Sequence, residues 1–434
     1  MAAKDSIKLK TVCLKIGSGA TPRGGKEAYK GGASALIRSQ NIYNDGFRKD
    51  GVVYIDDTQS SELKNVEVFK GDVLLNITGD SVARCCQVSA SILPARVNQH
   101  VAIIRPDPKT LDARYLHYIL VSSKFQEHLL SLASAGATRQ ALTKLMIENL
   151  EVHLPHLAEQ KRIAGILGAL DDKIELNRKM NETLEQMTKA LFKSWFVDFD
   201  PVHAKAERCQ PAGMDKATAD LFPDSFVDSE LGKIPSGWKA GSLSELSEFS
   251  RESINPGESL SEIFDHYSLP SFDEGKAPKA EAGSEIKSNK LVVTKTCVLL
   301  SKLNPHIPRI WLPNLHASRR SICSTEFIVA SAMAGCTREY LYALFISEDF
   351  SRTYGTLVTG TTGSHQRIRA ESVLQMRLPV APAKLISSFT DTIAPMLNRV
   401  ASNTKESQTL AELRDTLLPQ LLNGDLKVAL KNRP

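Results

Sequence analysis

Five short polar clusters carry most of the chemistry that this sequence could do with a ligand. RSQN (38–41), TGDSVAR (78–84) and TRQ (138–140) lie in the first half, and KLNPHIPR (302–309) and SHQR (364–367) in the second. Arginine can bond bidentately to guanine O6 and N7, glutamine and asparagine to adenine N6 and N7, and hydroxyls to base edges or phosphate. The residues expected at a DNA surface are therefore Arg38, Gln40, Asn41, Thr78, Arg84, Thr138, Arg139 and Gln140 in the first half. In the second they are Lys302, Asn304, His306, Arg309, Ser364, His365, Gln366 and Arg367. NQHVAIIRP (98–106) is open to two readings: further polar readers, or the start of a strand whose Asn98, Gln99 and His100 bond to local backbone.

Catalytic chemistry finds no comparable support. GSGATPRGGK (17–26) has five residues between Gly19 and Gly25 where a phosphate-binding loop needs four, and Glu27 would set a carboxylate against phosphate. NPHI (304–307) lacks the second proline and the aromatic residue with which amino methyltransferases stack a flipped base. No Ser/His/Asp arrangement or metal-ligand spacing emerges, so neither a catalytic residue, a cofactor nor a metal is expected on this chain.

The elements that must position the clusters come in duplicate. Val73, Leu74, Leu75 and Arg84 match Val298, Leu299, Leu300 and Arg309, 225 positions on, and Tyr115, Leu116 and Phe125 match Tyr340, Leu341 and Phe350. A heptad seam follows each half. It runs through Ile163, Leu167, Leu170, Ile174, Asn177, Asn181, Leu184, Thr188, Leu191 and Trp195, and again through Phe389, Ile393, Met396, Val400, Asn403, Ser407, Leu410, Arg414, Leu417 and Leu421. The polar positions of the two seams coincide. If the helices pack antiparallel and aligned, Asn177 faces Ser407 and Asn181 faces Asn403, and a slipped register would strand these groups at roughly 1–3 kcal/mol each. Asn177, Asn181, Asn403 and Ser407 are thus expected to fix the register of a spacer.

The first helix is expected from about Glu159 to Val197, and Pro395 is expected to kink or restart the second. Runs such as VAIIRP, KLVVTKTCVLLS and TEFIVA predict strands, and RYLHYILVSSKFQEHLL and REYLYALFISEDF predict helices. The fold class is α+β: two mixed α/β domains at 1–155 and 236–380, spacer helices at 156–200 and 381–434, and a linker at 201–235. Trp195, Phe196 and Phe199, near a helix end, suit either a core or the docking of another subunit, and docking is the expectation taken.

Composition sets the compartment. The 434 residues carry 54 basic against 49 acidic groups, a net charge of +5 that permits a polyanionic partner without demanding one. Seven cysteines without paired spacing suggest free thiols in a reducing cytoplasm. No run is long and apolar enough for a membrane span, so no membrane association is expected.

LPHLAEQKRIAGILGALDDKIELNRKMNETLEQMTKALFKSWFVDFDPV (154–202) and LFPDSFVDSELGKIPSGWK (221–239) resemble, respectively, the central conserved region and the lead-in to the second recognition domain of type I restriction-modification specificity subunits. The resemblance covers essentially the whole chain. It implies two target-recognition domains, each reading one half of a bipartite, asymmetric site in double-stranded DNA, with conserved helices as spacer. It also implies docking of two methyltransferase subunits and, through them, restriction subunits, with S-adenosylmethionine, ATP and Mg²⁺ handled by those partners. A coiled-coil adaptor that joins two proteins and never meets DNA is the competing expectation.

Overall fold

The computed structural model describes residues 6–24, 29, 31–134, 140–315, 318–359 and 366–426. They form two compact units: residues 1–175 with 408–434, and residues 176–407.

In the first unit the apolar run VLLN becomes strand Val73–Asn76, buried at every position. Such continuous burial marks a central strand covered on both faces. It pairs antiparallel with Val101–Pro106 on one side and Cys85–Gln87 on the other, and Cys13–Ser18 completes the sheet. A second sheet has Ser34–Ile37 and Ala95–Val97 as a parallel pair, flanked by Val53–Ile55 and Glu67–Val68.

The second unit repeats this plan. Cys297–Ser301 is again wholly buried, between Phe327–Ala332 and Ile310–Trp311, with Ser247–Ser250 at the edge. Its other sheet again holds one parallel pair, Ile263–Tyr267 with Ser321–Cys323, and gains Ser253–Ile254 as an extra strand. The duplication is one of topology as well as of sequence.

Both expected helical patterns split at a serine. Ala113–Val121 gives way to Ser123–Ser134 at Ser122, and Arg338–Ile346 gives way to Glu348–Thr356 at Ser347. Ser347 is extended, and its hydroxyl accepts from Phe350 N at 3.3 Å, so it caps the next helix instead of continuing the last.

The two long helices are Leu157–Phe196 and Ala383–Asn423. The second runs on through Pro395 without the restart that was one of the two expectations there. Pro395 is exposed while Ile393 and Leu397 are buried, so the Asp391 carbonyl that loses its intrahelical donor faces water. Each unit takes part of both helices. In the first, Ile163, Ala164 and Leu167 share a core with Leu418 and Leu421; in the second, Phe192, Trp195 and Phe196 share one with Phe389, Ile393 and Leu397. The early part of one helix thus meets the late part of the other in both units, which is the antiparallel arrangement.

Two expectations change within the second unit. Residues 201–235 are folded, with helices Asp200–Ala206 and Lys216–Ala219 and a hairpin of Phe226–Ser229 with Gly232–Pro235. Val202, Phe222 and Ile234 from this stretch are core residues. Trp195 and Phe196 are buried as well, so neither ring is presented to another subunit. Trp195 packs edge-on against Phe222 and Phe389, each at 5.3 Å, and Phe196 against Phe389 at 4.9 Å and Tyr340 at 5.0 Å. Phe199, half-buried, meets Trp238 at 5.5 Å. These aromatics close the unit's own core.

Candidate nucleic-acid interface

Clusters far apart in the first half of the chain meet in an open cleft of about 990 Å³. Gln40, Thr78, Arg84 and Gln140 line it, together with Tyr43, Asp80 and His100. Strand pairing explains the convergence. Val73–Asn76 and Val101–Pro106 are neighbours, so the loop after the first and the turn before the second fall at the same end of the sheet. An isolated bridge between Thr78 and Ala141 brings in the third cluster.

The cleft wall is held by hydrogen bonds. Thr78 Oγ1 lies 2.6 Å from His100 Nδ1, and Gln99 Nε2 lies 3.0 Å from His100 Nε2. Asn76 Nδ2 donates to Ser39 O at 2.9 Å and to Ser81 Oγ at 3.0 Å, which ties the loop at 78–84 to the loop at 38–41. The Arg84 guanidinium lies 4.9 Å from the Tyr43 ring centroid, within cation–π range.

Two members of the RSQN cluster have work inside the fold. Asn41 is fully buried: its Oδ1 accepts from Arg38 N at 3.1 Å, and its Nδ2 donates to Arg48 O at 3.1 Å and Asp50 O at 2.9 Å. It cannot reach a base. Arg38 is half-buried and donates through Nη2 to Gly51 O at 2.6 Å. Thr138 and Arg139 lie outside the described residues.

In the second unit, backbone pairing joins the two expected clusters. Asn304 N donates to Gln366 O at 2.9 Å, Ile368 N donates to Lys302 O at 3.1 Å, and Leu303 bridges Arg367. Asn304 takes a left-handed φ of 51°, a conformation asparagine tolerates better than most residues. Lys302 lines a concavity of about 470 Å³ with Arg251 and Arg369, and His306 is exposed. Arg367 Nη2 donates to Glu326 Oε1 at 2.9 Å. Arg309 is spent within the fold, since its Nε and Nη2 donate to the two oxygens of Asp273 at 2.7 and 2.8 Å. Ser364 and His365 lie outside the described residues.

The polar waist of the long helices falls within the second unit. Asn403 Nδ2 donates to Asn181 Oδ1 at 2.8 Å, Asn181 Nδ2 to Thr404 Oγ1 at 3.3 Å, and Asn177 Nδ2 to Glu406 Oε2 at 2.8 Å and Ser407 Oγ at 3.3 Å. Thr404 and Glu406, off the seam, were not expected. Thr188 bonds its own helix, at Leu184 O.

A further polar cluster lies in the first unit. Asp171 accepts from Arg414 Nη1 at 2.8 Å and from the Tyr118 hydroxyl. Beside it, burial lowers the His117 pKa to about 4, and its Nδ1 lies 3.7 Å from Cys85 Sγ. Asp171 opposes that shift, whereas Arg114 and Arg414 add to it. Among the described residues no group of three His, Cys, Asp or Glu could hold a metal ion, and no helix is long and apolar enough to cross a membrane.

Residues 4–186 match the family model of the type I restriction modification DNA specificity domain. The specificity subunit of the HindI type I restriction enzyme of Haemophilus influenzae is 24% identical over 439 residues, covering 90% of this chain and 94% of that protein. The MjaIX specificity subunit of Methanocaldococcus jannaschii is also 24% identical, covering 95% and 91%. The crystal structure of an S subunit from M. genitalium shares the fold with a TM-score of 0.52 at 14% identity, covering 96% of this chain and 95% of that one. A doubled sheet plan with two long helices thus accompanies a similarity, at 24% identity and over nine-tenths of the chain, to type I restriction enzyme specificity subunits.

Proposed function

We propose that this chain is the non-catalytic DNA-reading subunit of a type I restriction-modification complex. Residues 1–155 and 236–380 act as target-recognition domains, each addressing one half of a split site in double-stranded DNA. The helices at 156–200 and 381–434 set the spacing between the half-sites, with their register fixed by Asn177, Asn181, Asn403 and Ser407. Two methyltransferase subunits dock on the chain and bring in restriction subunits. S-adenosylmethionine, ATP and Mg²⁺ are bound by those partners, and the complex works in the cytoplasm.

One observation carries the reading: Gln40, Thr78, Arg84 and Gln140, drawn from three separate stretches, line one cleft open to solvent. Amide, hydroxyl and guanidinium groups brought together on tied loops suit base edges. In the second unit the corresponding surface is formed by Lys302, Asn304, His306, Gln366 and Arg367. The Lys302 ammonium beside Arg251 and Arg369 suits phosphate.

The test is DNA binding by the chain assembled with its methyltransferase subunits, in the presence of competitor DNA and over a range of salt. Sequence-dependent retention is expected, with affinity falling linearly in log–log terms as salt rises. Retention that ignores sequence, or no retention, would favour the protein adaptor instead.

A further inference from the structure

Arg84 and Arg309 hold the same place in the two halves, 225 positions apart, each directly before a strand of its sheet, Cys85–Gln87 and Ile310–Trp311. Their guanidinium groups are used differently. Both oxygens of Asp273 receive the fork of Arg309, whose side chain is 13% exposed. Arg84 instead lies over Tyr43 in the cleft, and among the described residues its side chain has no hydrogen-bond acceptor. A guanidinium held by its face leaves its N–H edges free to donate.

The backbone beneath Arg84 is built to aim it. Ala83 is fully buried with a left-handed φ of 71°, an unfavourable conformation for alanine. It is kept there by Ala83 N donating to Asn76 O at 2.9 Å and Asn76 N donating to Arg84 O at 2.8 Å. Strain of order 1–3 kcal/mol held in this way is a mark of a residue that must point in one direction.

Arg48 also lies over the Tyr43 ring, at 5.1 Å, but its charge is paired with Asp45 at 2.5 Å, which leaves Asp80, among the described residues, as the unpaired charge near Arg84 that bears on base against phosphate. Asp80, exposed, lines the same cleft. A carboxylate there would repel a phosphate, but it can accept from a cytosine amino group at a base edge.

Resting on the DNA-reading function proposed above, we propose that Arg84 reads a guanine, bidentate to O6 and N7, in the half-site addressed by the first unit. Tyr43 is its positioning residue. Arg309 has lost this role to Asp273, so the two recognition domains read through non-equivalent side chains.

The experiment selects bound sequences from a DNA library randomised across both half-sites, using the chain assembled with its methyltransferase subunits. Wild type, Arg84→Ala, Arg84→Lys and Tyr43→Leu are compared, with melting curves to confirm folding. Arg84→Ala is expected to lose preference for guanine at one position of one half-site, on the order of ten- to a hundredfold. Arg84→Lys, which keeps the charge but not the fork, should recover little of it, and Tyr43→Leu should lose part of it at the same position. Uniform weakening across all sequences, with a salt slope lower by about one, would make Arg84 a phosphate contact and overturn the proposal. Unchanged preference in both arginine variants would overturn it too. A wild-type complex without any sequence preference would instead remove the DNA-reading function on which it rests.

Discussion

The carboxamides of Asn181 and Asn403 face each other across the two long helices, with Asn403 Nδ2 donating to Asn181 Oδ1 at 2.8 Å. Asn403 is 1% exposed, so its partner cannot be replaced by water without opening the seam. Changing Asn403 to Leu should therefore cost about 1–3 kcal/mol, because the half-buried Asn181 loses the donor to its Oδ1. Changing both to Leu should recover most of that loss, while weakening the preference for one register. Denaturation of the four proteins of the cycle measures the coupling. Strictly additive losses would show that the two amides do not act as a pair.

Stability should fall on acidification because of His117. Burial lowers its folded pKa to about 4 from an ordinary value near 6.5. Between these pH values the unfolded chain binds a proton that the folded chain refuses, so stability is intact above pH 6.5 and declines toward pH 4. The loss is about 3 kcal/mol at most. Unfolding midpoints across pH 4–7 for wild type and His117→Leu check this, and the variant should show a shallower acid limb. Equal slopes in the two proteins would contradict the assignment.

Asn41→Ala should reduce stability by about 2–3 kcal/mol, since it removes the partners of Arg38 N, Arg48 O and Asp50 O at once. The base preference of the folded complex should be unchanged. A shift in preference at unaltered melting temperature would return Asn41 to the DNA surface.

Trp195→Ala should cost about 3–5 kcal/mol through the cavity left among Phe222 and Phe389. The isolated chain should already show this loss in a denaturant titration. A protein of normal stability that failed only to bind its methyltransferase subunits would restore the docking role.

Much of the architecture was legible because periodicity and duplication are properties of the sequence itself. The seam lists in the two halves have their polar positions in common, so that once the helices are taken as antiparallel and aligned, Asn181 meets Asn403. What escaped is what depends on three-dimensional neighbours. Trp195 and Phe196 read equally well as surface or core until Phe222 and Trp238, from the supposed linker, are packed against them. Asn41 looks like Gln40 in sequence, and only the turn at 38–51 separates the buried amide from the exposed one. Arg309 carries the same letter as Arg84, but Asp273 is 36 residues away and nothing local announces the pairing. Tyr43 gave no signal, because an aromatic beside a turn is ordinary until an arginine from a distant loop lies over it.

The first unit closes its core with Leu418 and Leu421, residues that leave the ribosome more than two hundred positions after Ile163 and Leu167. During synthesis that apolar face of the nascent helix waits uncovered while the whole second unit is made. A stop codon placed ahead of Leu418 would spare every expected base-reading side chain and still leave the first unit unfinished, with a sticky stripe for chaperones or aggregation to find.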